Sequence, residues 1–396
     1  MTRQPPSAAP QTHPAASTPL AAHTNSWRLP LEAAGLLYYP FLAVLCGFAL
    51  LLVLGFFALG VMFDGVAVIV FAVPAFILLV MVGHVLFSLR VLFGQPSLDD
   101  PHEVQIPPIW LDRLHQLAQH VARRHQLPPP DEVRLHVTTI AHVYEADGGR
   151  RVLVVGGAAL ATLTQPLLAA IVAHELGHLA AGDTELSRRG ELTERLMRHL
   201  EVRFYFSTWS LINPMVWMIR AYHFLYRVVL AAHSRVGEYA ADQRSVQHAG
   251  IENTARALLL VSAIDEMPWA RLSSIAESCA ALNLPMDRIF SEQARRAAQT
   301  TPADWETAVR KATDETTALL DSHPALKDRL KAIGVRKKSY AYALARTLNQ
   351  EGSPARDLVA HWGSIEQVMT EYILGIVREN RHLRLEGMQV VLGRPL

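Results

Sequence analysis

Cysteine and charged residues are both scarce in this chain of 396 residues. Its two cysteines, Cys46 and Cys279, exclude a disulfide-stabilised scaffold and a cysteine-rich zinc module, so any metal ion must be held by histidines and carboxylates. Charged residues make up 18% of the sequence, against about 25% in ordinary soluble domains. The net charge of +1 gives no general attraction to nucleic acid, and we predict no nucleic-acid partner.

Lysine and arginine are missing altogether from residues 35–89, where Asp64 is the only acidic residue. This segment is more than twice as long as the roughly 20 residues that one membrane-spanning helix needs. We therefore predict a transmembrane hairpin over residues 35–93, with spans at 35–59 and 66–89 joined by a turn at Asp64. A buried hairpin in a soluble core is the alternative, but core helices seldom stay apolar on every face for this length.

Residues 1–34 are rich in proline, alanine, serine and threonine, which is typical of a flexible tail. Arg3 and Arg28 precede the first predicted span and Arg90 follows the second, while the turn between the spans has no basic residue. Because positively charged flanks stay in the cytoplasm, we expect both long ends there and only the turn outside. The lipid bilayer is thus one predicted partner.

The composition becomes ordinary in residues 94–345, which predict a mostly helical α+β domain with a small β-hairpin. Strands are expected near 133–143 and at 151–155, separated by a glycine-containing turn. An apolar helix is expected to begin after Thr164. Residues 346–396 form a helical, amphipathic extension, for which a cap on the domain and an assembly surface are the two alternatives.

Residues 204–233 leave three alternatives open. Residues 204–219 are uncharged but short for a span, Asn213-Pro214 interrupts them, and Arg220 follows. The aromatic side chains in this region suit the boundary between a membrane and water. The region is therefore a pair of short spans, an interfacial segment or an ordinary set of core helices.

The helix after Thr164 contains the sequence His174-Glu175-Leu176-Gly177-His178. Two histidines four residues apart lie on the same face of a helix, so both imidazoles can reach one metal ion. Glu175 lies between them, where it can take a proton from a metal-activated water and pass it to a leaving amine. Zinc suits this arrangement because catalytic zinc sites use three protein ligands and leave the fourth position to water.

A third ligand must come from elsewhere in the chain. The longer pattern with a third histidine fails, because Ala181 and Thr184 stand where it needs glycine and histidine. Glu238 is the favoured candidate, since it lies on a second apolar helix with Asp242 one turn away, and Asp242 can orient a histidine ligand. Four other glutamates downstream of the motif remain as alternatives: Glu185, Glu191, Glu194 and Glu201.

HELGH, followed some sixty residues later by EYAAD, resembles the zinc metallopeptidases of family M48 over about residues 95–345. That family includes membrane heat-shock proteases of the HtpX type and CAAX prenyl-protein proteases. The resemblance implies a zincin-like (gluzincin) fold and protein or peptide substrates. It also implies one Zn²⁺ per chain, held by His174, His178 and Glu238.

Further along the chain, Ser322-His323-Pro324 with Arg329 resembles the C-terminal His-Pro element of the family. This resemblance implies that His323 and Arg329 bind the substrate and stabilise the oxyanion. Ile140-Ala141 stands where the family often has Asn-Ala on its substrate-binding edge strand. The polar contact from that asparagine is therefore expected to be missing.

These features predict a membrane-anchored zinc endopeptidase that hydrolyses membrane or membrane-associated proteins, with Glu175 as general base. The resemblance implies a bacterial inner (cytoplasmic) membrane protein whose peptidase domain faces the cytoplasm. Two alternatives remain. One is a CAAX-type prenyl-protein protease, although this chain has fewer predicted spans than those proteases and so resembles them less. The other is a catalytically inactive membrane scaffold or chaperone-like module.

Overall fold

The structure is a computed structural model, in which the chain is mostly helical with a small mixed sheet, as the sequence predicts. It describes residues 20–62, 66–89, 103–104, 106–137, 141–146, 149–180, 193–194, 197–198, 213–267, 288–336 and 352–375. Several predicted features lie outside the described residues: the turn at Asp64, Cys279, Ile140, residues 204–212, and the alternative ligands Glu185, Glu191 and Glu201.

The helices and strands follow one another in an order that places the sheet before the motif helix. They are α1 (Leu20–Met62), α2 (Val66–Leu89), β1 (Glu103–Val104), α3 (Asp112–Arg124), β2 (Glu132–His136), β3 (Ala141–Ala146), β4 (Arg150–Gly156), α4 (Gly157–Thr162), α5 (Gln165–Ala180), α6 (Pro214–Asp265), α7 (Ile289–Gln299), α8 (Pro302–Asp314), α9 (Leu326–Ala332) and α10 (residues 362–375).

Helices α1 and α2 cover the predicted transmembrane hairpin. Within the described residues, Pro30–Met62 of α1 is long and apolar enough to cross a membrane, judged by length and composition. Helix α2 is 24 residues long, and its stretch Ile69–His84 is likewise apolar. The length and composition of α1 thus agree with the first predicted span.

Helix α1 begins at Leu20, whereas the sequence predicted a flexible tail through residue 34. Leu31 is buried in one apolar cluster with Tyr38 of the same helix and with Val216 of α6. Burial of Leu31 favours a helical backbone in a region whose composition alone is typical of a tail. Residues 20–34 are thus part of the first helix.

The sheet has the strand order β1-β2-β4-β3. Strands β3 and β4 form the predicted antiparallel hairpin, and β2 pairs with β4 in parallel. The single strand predicted over residues 133–143 was wrong, because β2 and β3 lie on opposite sides of β4. Val152 to Val155 of β4 are all fully buried, so both edges of this strand need backbone partners.

The main core lies between the sheet and the helices that follow it. Leu135 and Leu153 of the sheet belong to the same buried cluster as Leu168 of α5 and Leu260 of α6. Met369 of α10 belongs to this cluster too. The described part of the predicted C-terminal extension therefore packs into the same core as the motif helix, which favours the cap over the assembly surface.

Helix α6 is 52 residues long and connects the two apolar clusters of the protein. At its start, the side chain of Asn213 accepts a hydrogen bond from the backbone N–H of Met215 and donates one to the carbonyl of Met81. Gly250, with φ of +80°, interrupts the helix near its far end. Its first part packs on α1 and its later part on α5, so one element runs from the N-terminal helices to the motif.

Candidate metal centre

The motif residues interrupt an otherwise apolar and buried helix. In α5, Ala170, Val172, Ala173 and Leu176 are fully buried, whereas His174, Glu175 and His178 are partly exposed. Burial of the surrounding turns holds the helix firmly in the core, and the three polar side chains point to its one open side. The helix thus presents the histidines and the glutamate together.

Helices α5 and α6 approach each other unusually closely beside the motif. A Cβ atom added to Gly177 would lie 3.1 Å from the Cα of Ala241 and 3.2 Å from the side chain of Arg244. One turn further along, the hydroxyl of Ser245 donates a hydrogen bond of 2.8 Å to the carbonyl of Ala170. Small residues and this bond bring the α6 backbone near enough for its carboxylates to reach the histidines.

Glu238 meets both histidines of the motif. Its Oε2 lies 3.4 Å from Nε2 of His174, and its Oε1 lies 3.7 Å from Nε2 of His178. The two histidine Nε2 atoms are 3.3 Å apart. Glu194, the one alternative glutamate that is described, instead pairs with Arg198. Among the described residues, the group that could hold a metal ion is therefore His174, His178 and Glu238.

The distances between these donor atoms fit a zinc ion. Atoms placed about 2.0–2.1 Å from zinc at tetrahedral angles lie about 3.3–3.4 Å from one another. The two Nε2 atoms are 3.3 Å apart, and Oε2 of Glu238 lies 3.4 Å from that of His174, whereas the 3.7 Å distance to that of His178 is from Oε1. In addition, Oε2 of Glu238 is buried and accepts no hydrogen bond within the described residues. A buried carboxylate oxygen without a hydrogen bond is well suited to bind a cation.

Asp242 lies behind the metal-binding side chains. Its Oδ1 is 3.0 Å from Nδ1 of His174. Arg329 of α9 donates two hydrogen bonds to Asp242, of 2.9 Å from Nε and 2.7 Å from Nη2. Because Asp242 is fully buried, this bidentate pair compensates for the loss of its hydration.

His323 and Arg329 reach the same centre from the far end of the domain. Nδ1 of His323 donates to Oε1 of Glu238 at 2.8 Å, and Nη2 of Arg329 lies 3.2 Å from Oε2 of Glu238. The His323 side chain is 69% exposed, so it lines the open side of the centre. The structure thus brings together all seven site residues that the sequence and the family resemblance suggested.

Burial and neighbouring charges shift the pKa values of the site residues in different directions. Burial raises the pKa of Glu175 to about 7. Burial, with the charge of His174, lowers the pKa of His178 to about 4. Burial also acts to lower the pKa of His174, but the carboxylates of Asp242 and Glu238 outweigh it and raise that pKa to about 10. Burial would raise the pKa of Glu238, yet contacts with His174 and His323 hold it well below its ordinary value.

A cavity of about 330 Å³ opens beside the metal-binding side chains. One wall is the start of the edge strand β3, with Ala141 and His142. The opposite side is apolar and is built by residues of α5 and α6: Ala170, Ile171, Ala257, Leu258 and Val261. No sequence pattern marked these apolar residues as part of a site, because their spacing is that of any buried helix face.

Comparison with known proteins bears on the same part of the chain. Residues 111–337, more than half of the sequence, match the model of peptidase family M48. No curated protein and no solved structure matches the chain significantly. The matched residues contain the motif helix, the carboxylates of α6 and the His323–Arg329 segment. The chain therefore belongs to peptidase family M48.

Proposed function

We propose that the protein is a membrane-anchored, zinc-dependent endopeptidase with a zincin-like (gluzincin) catalytic domain. The observation that carries this proposal is the convergence of His174, His178 and Glu238, whose donor atoms lie within 4.8 Å of one another. These three residues would hold one Zn²⁺ per chain, leaving a fourth position open towards the cavity. Family membership independently supports a peptidase.

Glu175 acts as the general base of the reaction. When bound, the zinc ion polarises the scissile carbonyl and lowers the pKa of a water molecule. Glu175 takes the proton of that water and returns it to the leaving amine. The raised pKa of Glu175, about 7, suits a group that must both accept and donate a proton near neutral pH.

The residues around the metal ligands have different tasks. Asp242 holds the ring of His174, and Arg329 in turn holds Asp242 through two hydrogen bonds. These bonds engage two of the five N–H groups of Arg329, so it positions Asp242, and the role at the oxyanion that the family resemblance implies stays a prediction. His323 uses Nδ1 for Glu238 and lines the cavity, and the Glu238 carboxylate raises the pKa of His323. In the protonated ring Nε2 also carries a proton, which it can donate to the oxyanion.

The substrate binds as an extended peptide along β3. This strand ends the sheet, and no strand pairs with its outer edge in the described part of the chain. An added peptide strand can therefore hydrogen-bond to its backbone beside the metal centre. The apolar side of the cavity accommodates an uncharged side chain of the substrate next to the scissile bond.

Anchoring by the N-terminal helices places the enzyme at a membrane. Pro30–Met62 has the length and composition of a span, and the basic residues that flank the hairpin favour a cytoplasmic peptidase domain. The substrates are then membrane or membrane-associated proteins. The complete set of metal-binding and base residues argues against an inactive scaffold.

Two substitutions test this function on the purified chain in detergent. Glu175→Gln should keep its zinc and lose about 10²–10⁴-fold in casein hydrolysis, because only the base is removed. Glu238→Ala should lose most of its zinc, because two remaining ligands hold zinc poorly. Zinc is measured by elemental mass spectrometry and hydrolysis by peptide release.

Glu252→Gln is the matched control, since Glu252 lies just beyond the break at Gly250 and pairs only with Arg256 among the contacts described. It should leave zinc content and activity unchanged. Wild-type hydrolysis by a zinc-loaded Glu175→Gln protein would contradict the mechanism. Cleavage of a farnesylated CAAX peptide but not of casein would indicate the prenyl-protein protease instead.

A further inference from the structure

The first part of α6 has an exposed face that is apolar. Trp217, Met218, Phe224 and Leu225 are each about half or more exposed, from 47% to 62%. They form two adjacent pairs seven residues apart, so the pairs lie on one side of the helix and about two turns from each other. On a helix that faces water, this side would carry polar or charged residues.

The opposite face of the same segment is apolar as well. Met215, Val216, Ile219 and Tyr226 are buried in the cluster that joins α6 to α1. A helix that is apolar both where it packs and where it is exposed does not match an aqueous surface. The exposed face of residues 214–231 therefore requires an apolar environment outside the protein.

The charges on this segment all have one sign. From Asn213 to Gly237 the sequence has no acidic residue, whereas Arg220, Arg227 and Arg235 are basic. The guanidinium of Arg220 lies over the ring of Trp217, 5.5 Å from its centroid. Aromatic residues, apolar residues and arginines on one helix are typical of contact with the interface of an anionic lipid bilayer.

The exposed face of α6 continues the surface of α1. The ring of Tyr222 stacks on Phe41 at 4.7 Å between centroids, and its hydroxyl donates to the carbonyl of Ala34. Neighbouring residues of α1, such as Leu37 and Val44, are exposed and apolar. These two residues lie in Pro30–Met62, the stretch that has the dimensions of a membrane span. The bilayer around α1 would thus reach α6.

We propose that residues 214–231 of α6 contact an anionic lipid bilayer directly and form a further membrane element beside α1. This contact rests on the membrane anchoring proposed above, but it requires neither zinc nor proteolysis. Leu225 and Glu238 are 13 residues apart on one helix, which corresponds to about 20 Å. The metal centre is therefore held within about 20 Å of the lipid contact, and its substrates are cleaved close to the membrane surface.

Fluorescence quenching in reconstituted vesicles tests this contact. Leu225→Cys and, separately, Met218→Cys are introduced into a cysteine-free background of the full chain and labelled with an environment-sensitive fluorophore. The vesicles contain phosphatidylcholine and phosphatidylglycerol. Both labels should be quenched severalfold more strongly by nitroxide-bearing lipids than a label at Ile251→Cys, and less strongly by acrylamide in the water phase.

Ile251 is the control, because it is an exposed aliphatic residue that lies beyond the metal centre, directly after the break at Gly250. Equal acrylamide quenching at positions 225, 218 and 251 would overturn the proposal. Protection of both labels from both quenchers would also overturn it, by showing a protein partner such as a second copy. Casein hydrolysis by the labelled proteins reports the proposed function separately, so the two proposals fail independently.

Discussion

Glu175 and Glu238 have the same carboxylate, and their surroundings assign them different tasks. Glu238 is contacted by His174, His323 and Arg329, all of which favour its ionised form. Burial is the main influence on Glu175, and it raises the pKa of that residue to about 7. In the proposed mechanism, Glu238 is thus kept charged for a cation, and Glu175 is kept ready to exchange a proton.

Gly177 is the residue on which the distance between the two site helices depends. We predict that Gly177→Ala destabilises the protein by about 1–3 kcal/mol, because the added methyl group would press against the α6 backbone. The shift of α6 should also weaken zinc binding, since Glu238 would move away from the histidines. Thermal unfolding and zinc competition with a chelator measure the two effects.

Gly375→Ala is the control for this prediction. Gly375 also lies in a helix, α10, and a Cβ atom there would meet nothing within 4 Å. Replacement of a helical glycine by alanine in open space should be neutral or stabilising by up to about 1 kcal/mol. If Gly177→Ala behaved like Gly375→Ala, the close approach of the helices would not determine the site geometry.

At the scale of elements, the C-terminal segment supports the start of the motif helix. The backbone N–H of Gln165, the first residue of α5, donates to the carbonyl of Ser353, and that of Ala355 donates to Leu163, each at 2.9 Å. Glu366 of α10 is buried and accepts hydrogen bonds from the backbone and hydroxyl of Ser291 at the start of α7. This segment lies beyond residue 337, where the family match ends, yet it holds the catalytic domain together.

Two neighbouring residues of α10 test this support. Met369 is fully buried in the main core, and Met369→Ala should cost about 2–5 kcal/mol of unfolding free energy. Val368 precedes it and is exposed, so Val368→Ala should stay within about 0.5 kcal/mol of wild type. Denaturant unfolding of both variants makes the comparison, and equal stability would show that α10 does not belong to the core.

At the scale of the whole molecule, α6 connects the N-terminal helices to the candidate metal centre. Its first part is buried against α1, and Glu238 and Asp242 follow on the same helix before Gly250. In the proposed membrane anchoring, this helix would hold the site at a defined distance from the bilayer.

The orientation of the molecule gives a further prediction. A cysteine introduced at Asp64 should react with a membrane-impermeant maleimide added to intact cells, because the proposed orientation puts the turn of the hairpin outside. A cysteine at Gln350 should react only after the cells are opened, because the same proposal puts the peptidase domain in the cytoplasm. Labelling is measured by mass shift, and the reverse pattern would place the peptidase domain outside.

The sequence by itself determined the half of the metal centre that one helix provides. His174 and His178 are four residues apart, and the geometry of a helix is enough to place both on one face. The apolar character of residues 35–89 likewise predicted the N-terminal helices, since composition over a long segment is a local property. Family resemblance then indicated His323 and Arg329, which no local pattern would identify.

Only the tertiary structure decided how distant segments meet. The sequence proposed Glu238 as the third ligand, but the close approach of the two helices at Gly177 and Ala241, which brings Glu238 to the histidines, is a contact between distant segments that local spacing does not specify. The separation of β2 from β3 and the helical start of α1 are further cases, because burial against other elements outweighs local propensity there. Spacing along a chain specifies which side chains share a face, whereas packing between elements specifies which faces come together.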